Sequence, residues 1–336
     1  MDPNAFQNST SGRVIRVGQG EAAYWSFVPN PLPPQISIDW ELARLNARAE
    51  RTLGELSGLG RTLPNPHLFI RPFLRREAVL SSRIEGTHSD LTDLYLYEGA
   101  QLPLPGIEPP PPQDADVREV YNYVRALEHS LAQLEHSPIN FWLVRGMHKM
   151  LLQGVRGEAF TPGEYRTRQN WIGGDTINIG RLLLSLLLVG WQLLPLPLLH
   201  LSAYFESSRQ QYYNILLAIS QKNVWREWLD YFLNGVIHQA QDTIERIKQL
   251  QDLQHQWHDK MYTAKASAST IRLAEYLFEV PIITIPHAQR VLDMSYRGAQ
   301  RVVEKLLELG MLMPSDERVY GKNFVARDIL LEILKD

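Results

Sequence analysis

Arg181-Leu182-Leu183-Leu184-Ser185-Leu186-Leu187-Leu188-Val189-Gly190-Trp191-Gln192-Leu193-Leu194-Pro195-Leu196-Pro197-Leu198-Leu199 decides what kind of molecule this is. Residues 182–199 are almost wholly apolar and about as long as a bilayer span. Ser185, Gly190, Gln192, Pro195 and Pro197 interrupt the run, and Pro197 would break a helix near its end. The pattern therefore predicts a helix over 181–191 buried on all sides, in a globular core with no membrane span.

Working outward, the sequence reads as helical from about 114 to 262, with helices expected at 117–133, 140–152, 198–220 and 224–261. In the last of these, Trp225, Trp228, Phe232, Val236, Ile244 and Ile247 fall on or near one face. No strong period-two alternation appears, so the fold class is all-α, with a helical bundle at its centre. Upstream, Leu42, Leu45, Ala49, Leu53 and Leu56 give residues 39–59 helical spacing. A second helix is expected at 72–85, with Pro72 in its first turn and Phe73, Leu80 and Ile84 in one stripe. Helical potential continues over 90–98. Residues up to about 36 read as extended and turn structure, and 104–112 as a proline-rich loop.

Thr263-Ala264-Lys265-Ala266-Ser267-Ala268-Ser269 is a small-residue linker. Beyond it, helices are expected at 271–277, 286–292 and 296–309. Ser295 caps the last and Gly310 ends it, and short strands lie in 311–325 around Asp316-Glu317-Arg318. Three helices and a wing make a winged helix-turn-helix. The chain thus divides into 1–112, 113–262 and 270–336.

With 336 residues there is ample chain for two or three domains. The absence of cysteine excludes disulfides, thiolate metal sites and thiol nucleophiles; it fits a reducing cytosol, and a cytoplasmic location is expected. A net charge of -3 offers no global field to gather nucleic acid or anionic lipid, so such binding needs a local patch. Residues 1–20 hold no continuous apolar stretch, and no signal peptide is expected.

Phe27-Val28-Pro29-Asn30-Pro31-Leu32-Pro33-Pro34, Gly58-Leu59-Gly60-Arg61-Thr62-Leu63-Pro64-Asn65-Pro66, Arg75-Arg76-Glu77-Ala78 and Leu201-Ser202-Ala203-Tyr204-Phe205-Glu206 are strings that resemble the Fic family, whose members transfer AMP from ATP onto protein hydroxyls. Pro162-Gly163-Glu164-Tyr165-Arg166-Thr167-Arg168-Gln169-Asn170-Trp171-Ile172-Gly173 resembles the segment before the family's active site. Ile179-Gly180-Arg181-Leu182-Leu183 resembles the end of its signature, H-x-F-x-(D/E)-G-N-G-R-x-x-R. Ser81-Ser82-Arg83-Ile84-Glu85-Gly86 matches the inhibitory motif, (S/T)-x-x-x-E-(G/N).

The resemblance implies a Fic-type helical bundle with an N-terminal inhibitory helix, ATP and Mg²⁺ as cofactors, and a protein Ser, Thr or Tyr hydroxyl as acceptor. It implies regulation through Ser81, Glu85 and Gly86, with Glu85 paired to Arg181. It also implies nucleotide contacts at Glu85, Gly180, Arg181 and Tyr212. A guanidinium binds carboxylate or phosphate through two parallel hydrogen bonds, so either partner suits Arg181. Tyr212 stays open between the adenine pocket and packing in the bundle.

The catalytic residues do not carry over. None of the chain's ten histidines is followed by x-F-x-(D/E)-G, and only a few residues join Gly173 to Ile179 where the family has a docking hairpin, a helix and the catalytic loop. Asp175 stands either for the metal carboxylate or for a bare Gly-Asp turn. A general base contributes about 10²–10⁴-fold, and phosphate preorganisation usually contributes more. The expectation is an adenylyltransferase homologue without activity, and no catalytic residue is assigned. The competing class is a non-enzymatic regulatory or DNA-binding module acting through the winged helix. A damaged gene or a deliberate deletion is a third reading.

On the helix 296–309, Val302, Val303, Leu306 and Leu307 are expected in the core, while Arg297, Gln300, Arg301 and Glu304 project outward. Arg297, Gln300 and Arg301 are residue types that read base edges or phosphates, and Lys322, Asn323 and Arg327 add phosphate contacts. Glu304, Glu308, Asp316 and Glu317 offset that charge, so a protein-contact surface stays open beside DNA. The partners expected are a target protein, DNA and, with the oligomeric state open, a second copy of the chain.

Overall fold

The computed structural model describes residues 2–20, 23–100, 114–159, 161–165, 179–315 and 322–335. The loop expected at 104–112, the junction 173–178 with Asp175, and Asp316-Glu317-Arg318 lie outside the described residues. The fold is mostly helical, of the all-α class expected from the sequence. The N-terminal residues form an antiparallel hairpin, β1 (Gly12–Val17) against β2 (Tyr24–Pro29), with Gly12 opposite Pro29. Extended structure was expected there; the pairing was not.

The bundle begins with α1 (Trp40–Thr62), whose N-cap Asp39 accepts a hydrogen bond from the Leu42 amide. Next comes α2 (His67–Ile84), with fourteen of its 18 residues buried, which makes it the central helix. It starts five residues before the expected position, so Pro72 sits inside the helix instead of in its first turn. An internal proline costs about 3 kcal/mol. Burial of Leu68, Phe69, Phe73 and Leu74 around it offsets that cost.

Around α2 lie α3 (Leu91–Ala100), α4 (Ala115–Leu134), α5 (Phe141–Leu151) and α6 (Ile179–Gly190). The apolar run over 181–199 thus becomes the greater part of a helix of 12 residues, followed by turns. Among the described residues, no helix is long and apolar enough to cross a membrane. The single helix expected over 198–220 is two, α7 (Ser202–Ser207) and α8 (Arg209–Lys222). Ser208 breaks it: its hydroxyl donates to the Tyr204 carbonyl at 2.6 Å and meets the Tyr231 hydroxyl at 2.7 Å, so a side chain competes with the helical ladder. The long α9 (Trp225–Thr263) runs against α1.

After α9 come α10 (Ala268–Leu277), β3 (Ile282–Ile283), α11 (Ile285–Leu292), α12 (Tyr296–Glu308), β4 (Met313–Pro314), β5 (Phe324–Val325) and α13 (Arg327–Leu334). The three strands form an antiparallel sheet in the order β3-β5-β4. Ser295 caps α12 as expected, and Gly310 follows it at φ 71. Val302, Val303 and Leu306 are buried, whereas Leu307, expected beside them, is half-buried. This module rests on the bundle through α13, which packs on α9 and α2, through α10 on α9 and through β3 on α3. Buried apolar side chains form one cluster from Ala49 in α1 to Ile333 in α13.

Candidate functional site

The end of α2 is built by its own sequence. Gly86 takes φ +97, a left-handed conformation in which glycine has no Cβ to strain. The Thr87 amide reaches the Ser82 carbonyl at 3.2 Å and the Gly86 amide reaches the Arg83 carbonyl at 3.0 Å, a Schellman ending. Glu85 is thereby fixed as the C-cap, four residues after Ser81 and on the same face.

Into this face comes Arg181 from the first turn of α6. Its Nε donates to the Ser81 hydroxyl at 2.9 Å, and its Nη2 donates to the Ser81 carbonyl at 2.9 Å and to Glu85 Oε1 at 2.8 Å. Arg181 is 3% exposed. A cation here also meets the negative end of the α2 dipole. Burial works against its charge, but the Glu85 carboxylate outweighs burial and the pKa is raised. The Tyr213 hydroxyl donates to the Ile84 carbonyl at 3.3 Å, so the last carbonyls of α2 are occupied by Arg181, by the turn and by Tyr213.

Two turns before Glu85, Glu77 is fully enclosed between α2, α4 and α7. It accepts from the Ser202 hydroxyl at 2.6 Å and the Ser202 amide at 3.2 Å, with a longer contact of 3.4 Å from the Tyr123 hydroxyl. Burial pushes its pKa up to about 7, against the Ser202 hydrogen bonds and the Arg181 charge. Burial, followed by the nearby Glu77 charge, likewise raises Tyr123. Beside them Arg156 forms a two-pronged pair with buried Glu119, at 2.7 and 2.9 Å.

Tyr212 lies in α8. Its ring is buried and stacked on Phe205, with centroids 4.6 Å apart at 16°. Burial raises its hydroxyl pKa, while the nearby Arg181 charge lowers it. Gly180 is exposed in the first turn of α6. Arg297 and Arg301 are exposed on α12, Gln300 is half-buried, and Lys322 is exposed two residues before β5. Glu77, Ser202, Tyr123 and the Arg156–Glu119 pair were missed, although Glu77 stands four residues before Ser81 and the helical spacing could have found it.

The cleft lined by Ser81, Ser82, Glu85, Glu119, Tyr123 and Arg181 has a volume of about 10 Å³, room for a water and not for a phosphate chain. Arg181 Nη1 is buried without a well-formed hydrogen bond, while Nη2 is held by Glu85. No group of three or more His, Cys, Asp and Glu placed to hold a metal ion occurs among the described residues.

A helical bundle whose central helix ends in a serine–glutamate–glycine clamp on a buried arginine is the class that fold and site define. Residues 43–132 match the model of the Fic/DOC family N-terminal region. Among solved structures, a Fic family protein from Desulfovibrio desulfuricans G20 is similar at TM-score 0.49 and 13% identity, over 88% of this chain and 98% of that one.

Proposed function

We propose that this chain is a Fic-family adenylyltransferase homologue that does not transfer AMP and keeps the glutamate clamp as a fixed structural contact. The observation that carries the reading is the 2.8 Å Glu85–Arg181 pair, closed over a cleft too small for a phosphate chain. The sequence adds that no histidine stands in the family's signature. The chain has no cysteine, and we place it in the cytoplasm.

In the family the chain resembles, the glutamate and the γ-phosphate of ATP compete for the same guanidinium edge; in this chain the pairing is structural. Opening the clamp alone supplies neither a general base nor a cradle for the phosphates. The wild-type protein and Glu85→Gly, each incubated with α-labelled ATP, Mg²⁺ and a cell lysate, should leave no label on any protein. Labelling by Glu85→Gly that disappears in Glu85→Gly/Arg181→Ala would overturn the reading and show a live, autoinhibited enzyme.

A further inference from the structure

The module after α9 is built around α11 and α12. Helices α11 and α12 are joined by three residues, with Asp293 left-handed at φ 52 and the Ser295 hydroxyl accepting from the Gly298 amide at 3.2 Å. Ala299, Val302, Val303 and Leu306 pack α12 onto α10 and α11. The module's contacts with the bundle run mainly through α10, α13 and β3, so the opposite face of α12 opens to solvent. That face carries Tyr296, Arg297, Gln300 and Arg301 in its first two turns.

Charge on this helix is sorted along its axis. Arg297 and Arg301, four apart on one side, occupy the first half, and the first turn has no acidic residue. Acids begin at Glu304, which accepts from Gln300 at 2.8 Å, and continue with Glu308, which is paired to Lys305 at 2.9 Å. Glu308 lies about 16 Å from Arg297 along the axis. The near-balance of charge over the whole module therefore hides a basic half-helix.

We infer that the exposed first half of α12 binds duplex DNA, entering the major groove. A helix fits a groove about 12 Å wide, and helix-turn-helix modules place the N-terminal residues of the second helix on the base edges. Arg297 and Arg301 match guanine edges or phosphates, Gln300 matches adenine, and Lys322 and the Tyr296 hydroxyl match phosphates. A protein interface of ordinary size would need a larger buried apolar centre than this face offers, where Tyr296 is the one large aromatic among the residues named.

The test uses the full chain and a fluorescent mixed-sequence duplex of roughly 20 base pairs at low salt, read by anisotropy. With three cations on phosphates or bases, the logarithm of affinity should fall with log salt at a slope of about -3. Arg297→Glu/Arg301→Glu should weaken binding at least tenfold while leaving the melting temperature and circular dichroism unchanged, since both side chains are exposed. A single-stranded competitor of the same sequence should displace the duplex poorly. No binding at low salt, binding indifferent to the charge reversal, or equal preference for single strands would overturn the inference. So would a protein captured through Arg297 and Arg301 in place of DNA.

Discussion

Burial shifts the Glu77 carboxyl toward its protonated form. Its pKa is about 7 when folded against 4.5 ordinarily, so its contribution to stability is complete below about 4.5 and lost as pH rises through about 7. Buried His200 and His287 act in the opposite sense. Burial takes them from 6.5 down to about 3 and about 4, so their contributions are present above about 6.5 and lost as pH falls. Of these three groups, the two histidines outweigh the carboxyl between about 4.5 and 6.5, and above that their remaining gain and the loss from Glu77 nearly cancel. Thermal melts should therefore rise with pH to about 7 and then level off, and Glu77→Gln should make the rise between about 5 and 6.5 roughly twice as steep. An unchanged steepness in that variant would assign the proton elsewhere. At Glu85, replacement by alanine strands a buried guanidinium and should cost about 3–5 kcal/mol in denaturant unfolding. Glu85→Met/Arg181→Met should recover most of that loss, because no lone charge remains. Glu85 and Arg181 were legible from short strings around them. The Glu77–Ser202 contact was not, since partners 125 residues apart leave no local pattern.

Helices were easier to read than the joints between them. Asn140, Ser267 and Ser295 all cap helices in the structure, each accepting from the amide three residues on. Strands of two residues, as in β3, β4 and β5, are too short to show alternation and draw their stability from pairing. The break at Ser208 depends on Tyr231, a partner on another helix that no local window contains. Where α7 meets α9, Gly235 lets the helices approach: a Cβ there would lie 2.7 Å from a Tyr204 ring carbon. Alanine in place of glycine gains about 1 kcal/mol of helix propensity. Overpacking costs about 1–3 kcal/mol and should win, because the ring is itself packed against Tyr231 at 5.0 Å. Gly235→Ala should thus melt lower than the parent; a higher melting temperature would show that Tyr204 swings aside freely.

At the scale of the molecule, the C-terminal module is fastened by arginines of the bundle. Buried Arg246 on α9, itself paired with Asp242 at 2.7 Å, donates to the Glu332 carbonyl at 2.9 Å and also to the Lys335 carbonyl, closing the end of α13. Arg71 pairs with Glu279, and Arg76 reaches the Lys335 carbonyl at 3.5 Å. Arg246→Met should cost about 1–3 kcal/mol. It should also speed trypsin cleavage after exposed Lys265, between α9 and α10; digestion at the parental rate would show that the remaining contacts suffice.

Arg71, Glu77, Ser81 and Glu85 ride on one helix, about 21 Å from first to last. The element that grips the C-terminal module at Glu279 near its start therefore also grips Arg181 at its end, so α2 is the shared beam to which both the module and α6 are pinned.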